Sequence, residues 1–181
     1  MKPLFYKGPV LIAFIFMVLF LNWFNHPDLQ YEGEKEVLGI SSNVDVYTDS
    51  FGVPHVFAKN EKDLFFTAGY LAARERLFQL SMVAILVKGE MALNLGDEYL
   101  DTDIFIRTWR IHETAKKMVL KMKPENKEVF NNFCDGINYR INEIKNDLPI
   151  EFKIMRIDPS FWDPSIVAGY ARMMAYEMQG S

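Results

Sequence analysis

The stretch Asn60-Glu61-Lys62-Asp63-Leu64-Phe65-Phe66-Thr67-Ala68-Gly69-Tyr70-Leu71-Ala72-Ala73-Arg74-Glu75-Arg76-Leu77-Phe78-Gln79-Leu80-Ser81-Met82-Val83-Ala84-Ile85-Leu86-Val87-Lys88-Gly89 decides how the chain folds. Asn60 is suited to cap a helix whose first turn holds Glu61 and Asp63, and Gly89 is suited to end it, so one long helix is expected over residues 61–88. Its faces are nearly all apolar, and a helix apolar all round is buried all round. Only Arg74, Glu75, Arg76 and Gln79 break the pattern. Embedded charges are costly unless paired, so Arg74, Glu75 and Arg76 are read as structural ion pairs, the two arginines holding carboxylates or carbonyls of other segments.

Before this helix, Val44-Asp45-Val46-Tyr47-Thr48 alternates apolar and polar. The turn signal Asp49-Ser50-Phe51-Gly52 and a second short run, residues 53–58, complete a β-hairpin. Pro54 lacks an N–H and places its strand at an edge. After Gly89 come a short turn or helix over 90–95 and a helical segment from Leu100 or Asp101 to the lysines at 116, 117 and 121. Pro124 opens a further helix on which Val129, Phe130, Phe133, Ile137, Ile141 and Ile144 form one apolar stripe. Cys134 lies near that stripe and is read as a buried structural thiol. Residues 148–157 read as an extended connection, and Phe161-Trp162-Asp163-Pro164 as the turn that opens a last helix, 165–178.

The chain has 181 residues, half of them hydrophobic and 14% aromatic, which excludes disorder for the bulk. A net charge of −4 without a long basic block argues against a nucleic-acid partner. One cysteine excludes an intrachain disulfide and a cysteine-based metal cluster. At the amino terminus Lys2 and Lys7 precede an apolar stretch, Val10 to Phe24, interrupted only by Asn22. That order is the layout of an export signal, and the absence of small residues after it favours a retained anchor over a cleaved signal peptide. Residues 1–26 are thus expected to be a signal anchor or signal peptide, 7–24 its membrane contact, 27–42 a tether and 43–181 the domain. The leading lysines place the domain on the periplasmic or extracellular face of the inner membrane.

The chain contains no Gly-x-Ser-x-Gly, no cysteine near a histidine, no pair of helical histidines for zinc and no phosphate-cradling glycine loop. Asp97, Glu98, Asp101 and Asp103 cluster loosely, but without the glycine turn and terminal glutamate of a calcium loop they read as a solvated helix start. No catalytic residue and no metal ligand is assigned.

Three segments nevertheless carry a pattern: Asp45 through Ala58, Asp63 through Tyr70, and Ala73-Arg74-Glu75-Arg76-Leu77-Phe78-Gln79-Leu80. It continues in Gly89-Glu90-Met91-Ala92, Leu95-Gly96, Asp103, Arg107, Phe161-Trp162-Asp163-Pro164 and Met173-Met174-Ala175-Tyr176. This resembles the penicillin acylase family over residues 43–181, with Glu75 standing where many members have Asp. The resemblance implies an N-terminal-nucleophile hydrolase made as a precursor that cuts itself into an α subunit and a longer β subunit. In that family the β subunit's first residue, usually Ser, attacks an amide carbonyl with its own α-amine as base.

By resemblance this chain is the α-subunit portion, a fragment of an αββα precursor, and its partner is the β-subunit portion. The fold class expected is α+β and predominantly helical: an N-terminal membrane helix, the hairpin, then helices. The last helix is expected to supply one wall of an acyl pocket for a small N-acyl amide, with Met174, Tyr176 and Met178 as substrate-binding candidates and Glu177 nearby; plain core packing is the alternative for the same residues. Calcium is implied only for the full-length protein, with its ligands outside this chain. The rival reading is a non-catalytic, membrane-anchored helical interaction domain.

Overall fold

The computed structural model describes residues 7–24 and 32–179, and the chain divides into two compact units, residues 1–35 and 36–181. Expectations that fall on residues 1–6, 25–31, Gly180 and Ser181 lie outside the described residues. The first unit holds helix α1, Lys7–Phe24. Its 18 residues rise about 27 Å at 1.5 Å each, short of a hydrocarbon core of about 30 Å, and Lys7 and Asn22 shorten the apolar part further. Among the described residues no helix is long and apolar enough to cross a membrane, so the anchor expected over residues 1–26 finds no support.

The second unit is mainly helical with one small sheet. Strands β1 (Asp45–Thr48) and β2 (Pro54–Phe57) pair antiparallel, Val46 opposite Val56 and Tyr47 opposite His55. Asp49 closes the turn, its Oδ1 accepting from the N–H groups of Phe51 and Val53, both at 2.9 Å. Gly52 sits at φ 80°, the left-handed region that the turn requires and glycine adopts without strain.

Helix α2 spans Glu61–Lys88. Asn60 caps it by accepting from the Asp63 N–H at 2.8 Å, and Gly89, at φ 67°, ends it. The helix is not continuous as the sequence suggested: Arg76 has φ −142° and ψ 41°, and the chain kinks there. Neither Gly nor Pro marks the break. It falls between a first half that crosses α6 (Pro124–Glu143) and a second half that meets α8 (Pro164–Gln179), so packing against two differently placed neighbours accounts for it. From Asp63 to Arg74, and again from Leu80 to Glu90, no side chain is fully exposed.

The α2–α6 crossing is close because glycines meet backbone. A Cβ on Gly69 would lie 2.0 Å from the Phe133 carbonyl oxygen, and one on Gly136 would lie 1.9 Å from that of Phe66. One core joins Ala73, Leu77, Ala84 and Ile85 of α2 with Cys134, Ile137 and Ile141 of α6. Phe152, Trp162 and Ile166 complete this core. Full burial of each large side chain contributes about 1.5–3 kcal/mol.

Two further boundaries differ from expectation. The segment after α3 (Met91–Leu95) is two helices, α4 (Leu100–Thr108) and α5 (Ile111–Leu120), separated by Arg110 at φ 52°. The turn lets α5 pack along α8, with Ala115 and Val119 against Ala168. Residues 150–155 form a short helix, α7 (Ile150–Met155), rather than an extended connection. Pro149 starts it, and the buried Phe152 ring, 5.3 Å from that of Phe78, holds it against α2.

Candidate functional site

The start of α8 is fixed from three sides. Asn138 on α6 donates to the Trp162 carbonyl and accepts from its N–H, both at 2.8 Å, as a strand neighbour would. Ser160 N–H donates to Ser81 Oγ, and Lys88 Nζ donates to Ser160 Oγ at 2.9 Å. Asp163 caps the helix through Oδ1, which accepts from both the N–H and the hydroxyl of Ser165. With its single proton committed to Asp163, the Ser165 hydroxyl accepts from His112 Nε2 on α5 at 2.9 Å.

Ser, His and Asp therefore meet here, a grouping that spacing did not reveal because residues 112 and 165 are brought together only by the α5–α8 contact. The order is wrong for a nucleophile: the serine is central and buried, and the imidazole nitrogen facing it carries a proton and is no base. Burial, then the charge of Lys116, pushes the His112 pKa below its ordinary value; Lys88 acts the same way, while Asp163 and Glu90 oppose. The cluster is a neutral-histidine brace on the start of α8.

Beyond this brace, α8 carries the expected pocket residues in an open setting. Met174 and Met178 are one turn apart on one face, 44% and 68% exposed. Tyr176, two residues from each, points to the opposite side, about 200° around the helix. There it packs against Phe105 of α4 and Trp109 just past its end, with ring centroids at 5.7 and 5.1 Å. The structure thus brings the two methionines together and places Tyr176 with aromatic rings that sequence reasoning did not single out. Glu177 is also exposed.

Arg74 pairs with its neighbour Glu75, Nη2 to Oε1 at 2.8 Å, and Arg76 stands exposed at the kink. Nearby, Glu143 accepts from Tyr70 and Arg140. Asp103 proves buried rather than solvated, and it caps α3 by accepting from the N–H groups of Met91 and Ala92 at 2.9 and 2.8 Å. Its acidic neighbours in sequence masked this role. Arg107 likewise serves structure, its Nε donating to the Gly89 carbonyl at the end of α2.

Asp63 is fully buried and accepts from Ser41 N, Ser41 Oγ, Ser42 N and Asn60 Nδ2 at 2.7–2.9 Å. Burial raises its pKa, but the hydrogen bonds from Ser41, Asn60 and Ser42 together outweigh that and hold it below the ordinary carboxylate value. Cys134 is buried, and burial, reinforced by the charges of Asp163 and Asp135, pushes its thiol up to about 12. Among the described residues no group of three or more His, Cys, Asp or Glu is placed to hold a metal ion.

Residues 43–181 match the family model described as penicillin amidase. The chain belongs to the penicillin amidase family. The Escherichia coli penicillin G acylase is 29% identical over 132 residues, covering 71% of this chain and 16% of that protein. The acyl-homoserine lactone acylase QuiP of Pseudomonas syringae pv. syringae (strain B728a) is 25% identical over 142 residues, 77% of this chain and 17% of that protein. The solved structure of a thermostable penicillin G acylase from Alcaligenes faecalis superposes with a TM-score of 0.69 at 26% identity, covering 77% of this chain and 75% of that one. The chain spans about one sixth of the length of the curated relatives it matches, and it corresponds to the α-subunit-like portion of the family.

Proposed function

We propose that this chain is the α-subunit-like part of an exported amidohydrolase that cleaves the linear amide bond of N-acyl compounds, as penicillin and acyl-homoserine lactone acylases are named for doing. The observation that carries the reading is the family match over residues 43–181 in a chain whose own Ser–His–Asp grouping is no nucleophile. The attacking serine and its oxyanion donors then belong to a β-subunit partner, whose new amino terminus serves as base. Met174 and Met178 form part of the acyl wall; two adjacent thioethers adapt to an apolar chain. Tyr176 supports that wall from behind through Phe105 and Trp109 rather than touching substrate.

The order Lys2, Lys7, then apolar residues supports the amino-terminal segment as the export signal. Calcium in the full-length enzyme, held by carboxylates outside this chain, is part of the same proposal.

The test is to isolate the protein from its own cells with any polypeptide that copurifies, and to assay amine release from a panel of N-acyl amides of differing chain length. Turnover in a complex containing a second, serine-initiated polypeptide is expected. A chain that purifies alone and hydrolyses none of the panel would refute the acylase reading in favour of a non-catalytic helical interaction domain.

A further inference from the structure

The tip between α5 and α6 differs in charge from the rest of the chain. Between residues 110 and 128 six basic side chains face three carboxylates, a local excess of three positive charges in a chain of net charge −4. Lys116, Lys117, Lys121 and Lys123 are all exposed. Among them stands Leu120, 79% exposed. Lys116 and Lys117 lie four and three residues before Leu120 and therefore flank it on one helix face. The opposite face of α5, through Ile111, Ala115 and Val119, is spent on the core, so these groups are held outward. Pro124 starts α6 directly after Lys123 and fixes the turn in a short, stiff connection.

From this we infer that the α5–α6 tip is a docking surface for an anionic lipid bilayer, the four lysines meeting headgroup phosphates while Leu120 enters the acyl boundary. Exposed leucine ringed by lysines is the pattern of interfacial membrane binding, because the apolar group gains from burial and the long lysine stems keep their charges at headgroup level. A soluble polyanion would satisfy the lysines and leave Leu120 without use, which is why a bilayer is the better match. The inference does not rest on the acylase reading.

Its test places an environment-sensitive fluorophore at the tip of the full chain by Leu120→Cys; the buried Cys134 stays unlabelled. Sedimentation with vesicles would not separate the tip from the apolar helix α1, so fluorescence at position 120 is the readout. With phosphatidylcholine vesicles containing phosphatidylglycerol, emission is expected to shift blue and rise severalfold, and with phosphatidylcholine alone to stay unchanged. Replacing Lys116, Lys117, Lys121 and Lys123 by Gln, all at exposed positions, is expected to raise the lipid needed at least roughly tenfold. An unchanged signal with the anionic vesicles, an equal signal with neutral ones, retention in the glutamine variant, or an equal response to soluble heparin would each overturn the proposal.

Discussion

Gly69→Ala tests the central packing claim, because two physical effects give it opposite signs. Replacing a mid-helix glycine by alanine stabilises an isolated helix by about 1 kcal/mol. At this position the new Cβ would stand 2.0 Å from the Phe133 carbonyl oxygen, where an ordinary contact is about 3.4 Å. Both atoms belong to helix backbones, so neither can swing aside, and α2 and α6 must separate by about 1 Å merely to bring the pair to 3.0 Å. A gap of that size forfeits a quarter to a half of the dispersion attraction for each pair of atoms facing across it, and Ala73, Leu77, Cys134, Ile137 and Ile141 surround the crossing. Overpacking of this kind costs about 1–3 kcal/mol and here should sit at the upper end, leaving a net loss of about 2 kcal/mol after the propensity gain.

For a chain of this size that loss lowers Tm by about 4–8 °C, read by far-UV circular dichroism on wild type and variant prepared identically. Gly136→Ala, at 1.9 Å from the Phe66 carbonyl oxygen, should behave the same. One separation relieves both clashes, so the double variant should cost clearly less than the two single losses combined. An unchanged or raised Tm for Gly69→Ala, or strict additivity in the double variant, would show that the helices are not in backbone contact.

His112 makes stability depend on pH. Its folded pKa lies below the unfolded value of about 6.5, so its contribution is complete above that value and is lost as pH falls from there toward the folded pKa. His112→Gln should flatten the fall in Tm below about pH 6.5, and an imidazole that titrates above 6.5 by NMR would contradict the brace. Asp63→Ala removes the buried acceptor for four hydrogen bonds that tie Ser41, Ser42 and Asn60 to the start of α2, a loss of about 1.5–3 kcal/mol in urea unfolding. Early proteolytic cutting near residues 36–42 should accompany it. Cys134, with its thiol near 12, should resist alkylation at pH 8 until denaturant is added; reaction in the folded protein would refute its burial. Arg156, at φ 55°, ends α7 in the left-handed region, and Arg156→Gly should raise stability by about 0.5–1 kcal/mol in the same thermal melt.

Local chemistry in the sequence was enough for the hairpin with its Asp49 turn, the Asn60 and Gly89 ends of α2, the Pro124 start of α6 and the burial of Cys134, because each depends on a few adjacent residues. The motifs at residues 45–58, 63–80 and 161–176 also carried the family. The breaks at Arg76 and Arg110 were not legible: neither has Gly or Pro, and what bends the chain is the placement of α6 and α8, which no local window contains. Asp103 read as solvated because its acidic neighbours are; its burial depends on α3 folding back over it. Met174 and Met178 share a face by helical spacing alone, but that Tyr176 turns to Phe105 and Trp109 follows from where α4 lies. The reach of His112 to Ser165 and the meeting of Gly69 and Gly136 with opposing backbones were likewise decided by tertiary structure. Such contacts join residues more than fifty positions apart, and sequence patterning records which face of a helix is apolar without recording which neighbour covers it.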